Sequence, residues 1–567
     1  MQYSTNNHKP SKLDRLISND SFAFVALFLL ITITDFVIFT MYNYKYLSLF
    51  YSFLLSIIFF PVLLKLSEDL ANNIMILRIK TRNIHSISKN DYNHSSSMAC
   101  IAIPILIVDK QQIDNIFNNL AMTLKNNSDA HLTGAYLLFD LPDSIHESPE
   151  NSHQLLIEYS KKKAKLANSM SKKGVHNVPI YVLYRRRHHD SSKDMWTCRD
   201  RKLGNIISFL SYMSHQENDH IEILCDQTEV QVEHCVFIDE DTILCDSSVE
   251  NLHRIALHPR NRPVISEDRS HISKGYGIIQ PLCSDGLASL FHRRFDFVIF
   301  GQTKYHGKGL YDIGASLEIF KNGFPDLAKL SHDFYEGILL RCGYAPRSVI
   351  LSDVESSFRQ TYLKGIRWAR GDWQNFYSML GSTYIRSRYY NLFSRVTSLM
   401  YVTRSIFPLS FFCYILFSML VENNAIFVPL FIFISRHIFT IYSIKNKNVP
   451  TFDLIKIFLN FCYLDISMSC FLAVAGLHSF VSSLYSVLTG KNILSWETSA
   501  QVSRGYGSRF DLFSFHCMIA ILVPFILLLK FMTSRQTSYV IGLIFGLWLV
   551  SAVIIVYKQL VAHKNTI

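Results

Sequence analysis

Apolar residues in this chain are gathered into long runs rather than spread evenly. Residues 22–42 and 46–66 form two such runs, and five more follow residue 395: 396–420, 425–443, 455–488, 512–532 and 538–557. Each of the shorter runs has the ~20 residues that cross ~30 Å of hydrocarbon as a helix. The first run starts too far from the N-terminus, and is followed too soon by the second, to suit a cleaved signal peptide. An integral membrane protein is expected.

Between the two groups of runs the periodicity shortens. After a polar connector at 67–96, rich in Asn and Ser, Ala99–Val108 reads as a buried strand followed by a helical pattern through Leu124. Ala135–Phe139 and Pro179–Tyr184 read as further strands, 202–213 as a helix, and His234–Ile238 as a strand ending in acids. Such alternation predicts an α/β domain with a mostly parallel sheet covered on both faces. Ligands bind such sheets beyond the carboxyl ends of the strands, where Asp140, Asp143, Asp239 and Asp241 fall. No internal repeat is visible. The expected organisation is a tail with two membrane helices over 1–66, an α/β domain over 67–394, and membrane and interfacial helices over 395–567.

Orientation follows from the basic residues at the ends of the runs. Lys9, Lys12 and Arg15 precede the first run, Lys45 alone separates it from the second, and Lys65, Arg78, Lys80 and Arg82 lie beyond. The N-terminus and the α/β domain are therefore expected in the cytoplasm. Val421–Ala425 carries no positive charge and reads as an outside loop, with Lys445 and Lys447 inside again. The stretch 455–488 contains Asp465, Ser467, Ser469, Gly476 and His478. A central Asp costs ~2.5–3.5 kcal/mol on insertion scales, so a re-entrant or interfacial element, or two short crossings, is expected there. Six full crossings with both termini cytoplasmic complete the expected topology.

Composition sharpens this picture only slightly. Aromatic residues at 13% and charged residues at 18% suit a membrane protein. The net charge of +11 is explained by basic cytoplasmic loops facing anionic lipid, so no nucleic-acid partner is expected. The eleven cysteines contain no CxxC pair. Cys100, Cys225, Cys235, Cys413 and Cys462 sit on apolar patterns and read as reduced, buried thiols.

Candidate chemistry lies in four places. Asp239-Glu-Asp241 follows an apolar strand, and alternation places both Asp side chains on one side with Glu240 pointing away. Two hard oxygen donors there can hold Mg²⁺ or Mn²⁺ beside a diphosphate. In Arg199–Asn205, Lys202 can pair with phosphate and Gly204 permits close backbone approach, though an exposed helix start fits equally. The run Arg185–Asp190 reads as solvated, and its His pair lacks metal-ligand partners. Asp333 lies in a Ser-His-Asp break before helical-looking Phe334–Cys342. A carboxylate so placed can take a proton from an acceptor hydroxyl, or cap the helix. Consecutive Ser-His-Asp is no hydrolase triad, since triads assemble in space, and His332 reads as a supporting residue. Finally, Arg367-Trp368 offers a diphosphate grip and a flat stacking face, as well as a membrane-interface anchor. Trp373 and Gln374 extend that acceptor path or the interface, and Trp496–Gln501 reads as an amphipathic surface piece.

Together these residues resemble the membrane-bound glycosyltransferase domain of cyclic β-1,2-glucan synthases, glycosyltransferase family 84, within the processive family-2-like fold. The resemblance covers roughly 98–560. It rests on His258–Pro263, Gly275–Pro281, Gly307–Asp312, Leu330–Gly337, Arg367–Gln374 and Ser495–Ala500, in order. It implies a GT-A-like cytoplasmic domain at a bacterial inner membrane, transferring glucose from UDP-glucose to the 2-hydroxyl of a β-1,2-glucan acceptor. Carried onto this chain, Asp140 and Asp143 match nucleotide-contacting acids, and Lys202, Gly204 and Asn205 the element near the diphosphate. Asp239 matches a metal and nucleotide acid, with Asp241 beside it at the metal. Asp333 matches the catalytic base, Arg367 and Trp368 the Arg-Trp of the QxxRW motif, and Trp373 the acceptor path. Lys364 stands where that motif has Gln. The larger synthases continue into a phosphorylase-like domain, whereas this chain stops at Ile567. A linear product is therefore expected, with room for a separate glucan-processing or export protein. The alternatives are a processive β-glucan synthase of different linkage, a lipid-carrier glycosyltransferase, and a non-catalytic glycan channel.

Overall fold

The computed structural model of the chain describes residues 12–45, 47–78, 83–171, 178–191, 194–224, 232–283, 295–321, 332–352, 358–380, 391–420, 451–489, 512–533 and 539–564. The described elements begin with α1 (Lys12–Tyr44), α2 (Leu49–Arg78), α3 (Lys89–Asn93), β1 (Ala99–Leu106), α4 (Lys110–Asn126), β2 (Leu132–Asp140) and α5 (Asn151–Ser171). They continue with β3 (Ile180–Arg185), β4 (His188–Asp190), β5 (Met195–Thr197), α6 (Arg201–Met213), β6 (His220–Leu224), β7 (His234–Phe237), β8 (Thr242–Leu244) and α7 (Ser248–Ala256). Next come β9 (Val264–Ile265), β10 (Ile272–Lys274), β11 (Ile278–Cys283), β12 (Gly309–Asp312), α8 (Ile313–Phe320), α9 (His332–Leu339) and β13 (Cys342–Ser352). The last are α10 (Phe358–Leu380), α11 (Leu392–Leu420), α12 (Thr451–Thr489), α13 (Leu512–Thr533) and α14 (Tyr539–Lys564). The chain divides into two compact units, one of Met1–Ile17 with Thr81–Val354, the other of Ser18–Lys80 with Glu355–Ile567.

The first unit is built on a nine-stranded sheet in the order β6-β3-β2-β1-β7-β12-β11-β13-β8. Strands β3, β2, β1 and β7 are mutually parallel, and the continuous apolar run of β1 is buried on both faces, as parallel sheets require. Beyond β7 the sheet changes character. β12 is antiparallel to β7 and to β11, while β13 is parallel to β11 and antiparallel to β8. This topology gathers chemistry at one edge. Asp140 ends β2, Arg185 ends β3, and Asp239 lies two residues past β7. Because β12 runs the other way, with Gly309 opposite Phe237, the turn entering β12 arrives at that same edge.

Three expectations outside the membrane-spanning runs need correction. The connector at 67–96 is partly helical: α2 continues to Arg78, and α3 is capped by Ser88, whose Oγ accepts from the Asp91 N–H. The Arg185–Asp190 run is not solvated as a whole. Strand alternation turns Arg185 and Arg187 inward, to 2% and 1% exposure, and leaves Arg186 outside. Asp333 occupies the first turn of α9 rather than a break before it.

In the second unit, five helical segments are long and apolar enough to cross a membrane among the described residues. They are Ser18–Tyr44, Leu49–Asn72, Leu392–Phe417, Ser467–Thr489 and Phe513–Met532, with a shorter apolar segment at Gly542–Tyr557. The chain is thus a multi-pass membrane protein. The stretch 455–488 is part of one unbroken helix, in place of the expected re-entrant or doubled crossing. Three of its serines are satisfied without breaking the helix: Ser479 and Ser483 donate to the carbonyls four residues earlier, and Ser469 accepts from Trp548 Nε1 at 2.7 Å. The buried His478 Nε2 and Ser486 Oγ, by contrast, make no hydrogen bond among the described residues. Prolines 61, 408 and 524 lie inside α2, α11 and α13. The Ser410 hydroxyl donates to the Ile58 carbonyl and ties α11 to the Pro61 turn. Helix α10 is amphipathic and packs against this bundle. Tyr362 and Ile366 are buried with Phe471 and Phe513, while Thr361, Gly365 and Trp368 line its exposed side. The expected run 425–443, the loop 421–425 and the motif 495–500 lie outside the described residues.

Candidate active site

The site is assembled at the carboxyl edge of the first unit's sheet. Past β7 the chain turns, and the three acids separate by environment. Glu240 accepts from Gln112 Nε2 at 2.6 Å, and burial pushes its carboxyl up to about 7. Asp239 and Asp241 instead share one cation. Lys308 Nζ lies 3.2 Å from Asp239 Oδ2 and 3.4 Å from Asp241 Oδ1, and donates to Ser352 Oγ at 2.6 Å. Lys202, from the first turn of α6, donates to Asp239 Oδ1 and to the Gly307 carbonyl, the latter at 2.8 Å. Burial alone would raise the Asp239 carboxyl, but the two ammonium groups hold it well below the usual carboxylate range.

The turn carrying Gly307 and Lys308 is fixed from below. Buried Gln280 of β11 accepts the His306 N–H at 3.0 Å, and Tyr276 donates to the Gly301 carbonyl at 3.0 Å. Gly307 has φ +77°, and a Cβ there would lie 3.1 Å from both Asp333 carboxylate oxygens and 3.3 Å from Lys202 Nζ. Only glycine accommodates both the backbone and the neighbour. The contact also places Asp333, from the start of α9, beside Lys202 and the acid turn. Asp333 remains 39% exposed, whereas His332 and Glu336 behind it are 16% and 0% exposed. His332 Nδ1 sits 3.1 Å from Asp333 Oδ1 and 3.2 Å from Glu336 Oε2. These three side chains each bring a donor atom within 4.8 Å of the others. A proton on Nδ1 supplies the charge that a cation would.

A second group of expected residues forms a closed network at the neighbouring strand ends. Arg185 grips Asp140 with two charge-assisted bonds of 2.8 and 2.7 Å and also donates to the Arg199 and Arg201 carbonyls. Asn205 donates to Asp140 Oδ1 at 2.9 Å and lies 2.9 Å from His220 Nε2. Gly204 is required by this packing, since a Cβ would fall 2.1 Å from the Arg199 carbonyl oxygen and 2.5 Å from an Arg185 nitrogen. Asp143 pairs with Arg201 at 2.7 Å. The remaining expected residues lie on α10 of the second unit. There Trp368 is 49% exposed with Lys364 4.8 Å from its ring centre, and Trp373 is buried against Phe480 and Tyr377. Arg367 lies on the same helix, half-buried.

Sequence reasoning gave no role to Lys308, Gln280 or Glu336, and took His332 only as a support. Lys308 and Gln280 lie inside stretches that carry the family resemblance, so the signal was present without a chemistry attached to it. Glu336 is a helical i+4 neighbour of His332, a spacing that pairs side chains on one face.

No protein-family model matches the chain. It is 27% identical over 297 residues to the cyclic beta-(1,2)-glucan synthase NdvB of Rhizobium meliloti (strain 1021), a match covering 48% of this chain. The chain spans about one tenth of that relative, 10% of its length. Among solved structures, the mannosyltransferase PcManGT from Pyrobaculum calidifontis, in complex with GDP-Man and Mn²⁺, aligns with a TM-score of 0.38 at 8% identity, covering 76% of this chain and 99% of that one. By sequence this chain, an α/β unit joined to apolar membrane helices, is similar to a cyclic β-1,2-glucan synthase and resembles the glycosyltransferase domain of that family.

Proposed function

We propose that this protein is a membrane-embedded inverting glucosyltransferase that builds β-1,2-glucan from UDP-glucose on the cytoplasmic side of a bacterial inner membrane. The observation that carries the reading is the meeting of Asp239, Asp241, Lys202, Lys308 and Asp333 around the Gly307 turn. Two partly exposed carboxylates already converge on one positive charge, and their all-oxygen donor set suits Mg²⁺ or Mn²⁺. A divalent ion held by Asp239 and Asp241 would neutralise charge on the leaving diphosphate. Lys202 and Lys308 would turn toward the phosphates, as mobile point charges can. Asp333 would take the proton of the acceptor 2-hydroxyl as its oxygen attacks C1 of glucose. The bond from C1 to the phosphate oxygen breaks with its electron pair leaving on UDP. A single displacement converts the α-linked donor into a β bond.

The roles of Asp140, Asp143, Gly204 and Asn205 in this reading are to shape the floor of the nucleotide pocket. The family resemblance gives Arg367 to the diphosphate and Trp368 and Trp373 to the acceptor, with the membrane helices passing the product outward. The test is incubation of the purified protein with labelled UDP-glucose and Mg²⁺, followed by digestion of the product with linkage-specific glucanases. Label made soluble by a β-1,2-glucanase alone supports the reading. A product cut by another glucanase transfers the reading to a different linkage, and a single-sugar glycolipid transfers it to a lipid acceptor.

A further inference from the structure

We propose that His332 and Glu336 form a positioning pair for Asp333, orienting its carboxylate and balancing the charge around it so that it can act as a base at neutral pH. The inference rests on the reading of Asp333 as the proton acceptor. It is carried by three features of α9. The imidazole Nδ1 is hydrogen-bonded to Glu336 Oε2 at 3.2 Å and forms an ion-pair contact of 3.1 Å with Asp333 Oδ1, which makes no hydrogen bond of its own among the described residues. Exposure falls from 39% through 16% to 0% along Asp333, His332 and Glu336, so an accessible carboxylate is backed by a sealed one. Among the described residues, Glu336 has no lysine or arginine partner, and its Oε1 makes no hydrogen bond.

A carboxylate sealed in this way needs a cation or hydrogen-bond donor against it, and His332 Nδ1 is the group in place. Burial by itself would lower the His332 imidazolium, but Asp333 and Glu336 outweigh it and hold the ring protonated to higher pH. The pair then sets the behaviour of Asp333. An imidazolium facing Asp333 alone would lock it in an ion pair and weaken it as a base. Glu336 takes the Nδ1 hydrogen bond at 3.2 Å and keeps the ring from committing to Asp333 alone, while burial raises the Asp333 carboxyl above its ordinary range. The other charged or titratable groups around Asp333 are Lys202 from α6, Asp239 past β7, Tyr305 from the loop before β12, and Tyr311 within it. The two tyrosine hydroxyls are buried, and burial first, then Glu336, pushes both well up, so neither serves as a base.

The account predicts opposite effects from the two halves of the pair. Glu336→Gln leaves the imidazolium to Asp333, so the acid limb of the kcat/KM profile moves down by about one pH unit. In that variant kcat falls about tenfold while KM for UDP-glucose changes less than about twofold. His332→Gln leaves two carboxylates facing each other, so the limb moves up by about one unit. The experiment records pH profiles for wild type, E336Q, H332Q, D333N and the conservative control E336D, with unfolding midpoints measured alongside and the upward H332Q limb deciding alone if E336Q does not fold. Limbs displaced in opposite directions, with E336D close to wild type, support the pair. Activity lost with unmoved limbs, or a raised KM at constant kcat, overturns it. Wild-type turnover in D333N would instead remove Asp333 as the base. A dead D333N that still binds UDP keeps that reading and leaves the pair to be judged on the limbs alone.

Discussion

Two carboxylate–cation clusters stand at neighbouring strand ends of the same sheet, and they are built for different ends. At Asp140 the cation is a planar guanidinium whose two bonds fit the carboxylate, and Asp140 and Arg185 are 4% and 2% exposed. At Asp239 the cations are two lysine ammonium groups on flexible stems, and the acids are 35% and 42% exposed at their side chains. Arginine's fork pre-organises a fixed pair, whereas lysine is a compact charge that can be exchanged. The first cluster is therefore a fastening between β2, β3 and α6, and the proposed function makes the second the place where a ligand's charge would replace a lysine's.

The comparison can be broken by substitution. The largest effect is expected at the open cluster: Asp239→Asn should lower glucosyl transfer by roughly 10³-fold and lower the unfolding midpoint only modestly, since Lys202 keeps the Gly307 carbonyl and Lys308 keeps Asp241 and Ser352. A midpoint that drops as far as that of Arg185→Met would make Asp239 a structural acid like Asp140. At the closed cluster the balance reverses. Arg185→Met leaves a buried, unpaired carboxylate, so a loss of about 3–5 kcal/mol in stability is expected, read as a large fall in the denaturation midpoint. A stable R185M protein that has lost only donor affinity would show that the network is a ligand site.

A smaller effect is expected at Gly307, where Ala would meet both a left-handed backbone and the Asp333 oxygens. The cost is about 1–3 kcal/mol, with transfer reduced because Asp333 is displaced. Unchanged kinetics in G307A would separate the turn from the chemistry. The smallest effect concerns pH. Burial holds the imidazoles of His234 and His253, packed 5.1 Å apart, below their ordinary range. Their contribution is complete above about pH 6.5 and is lost as pH falls below it, because the unfolded chain then binds more protons. Glu240 and His332 titrate with the opposite sign, so the effect is read as a difference: between about pH 6.5 and 5.5 the wild-type midpoint should fall relative to that of His253→Gln. An equal slope in the variant would place the titrating groups elsewhere.

What was legible in the sequence was set by strong, local periodicity. The runs of β1, β2, β3 and β7 and the helical pattern of α6 are continuous signals, and they were placed to within a few residues. The acids at their ends were found for the same reason. The same-side arrangement of Asp239 and Asp241 was anticipated from strand alternation, but it comes from a turn and a shared lysine. Long-range partners left no such trace. Arg185 sits in a run of cations that looks solvated until the end of β3 turns it inward. Lys308 becomes informative only when an antiparallel β12 delivers its turn to the carboxyl edge, and a parallel sheet throughout would have placed it elsewhere. In the membrane unit, Asp465 with Ser467, Ser469, Gly476 and His478 suggested a broken element, but the helix runs on through all five, with Ser469 accepting from Trp548 of α14, a partner that a hydropathy pattern does not show.

The most direct measurement is UDP binding to the purified protein by calorimetry, with and without Mg²⁺, for wild type, Asp239→Asn and Asp140→Asn. The account predicts metal-dependent binding in wild type, its loss in D239N, and its retention in whatever fraction of D140N remains folded. Metal-dependent binding of equal strength in folded D239N would contradict it.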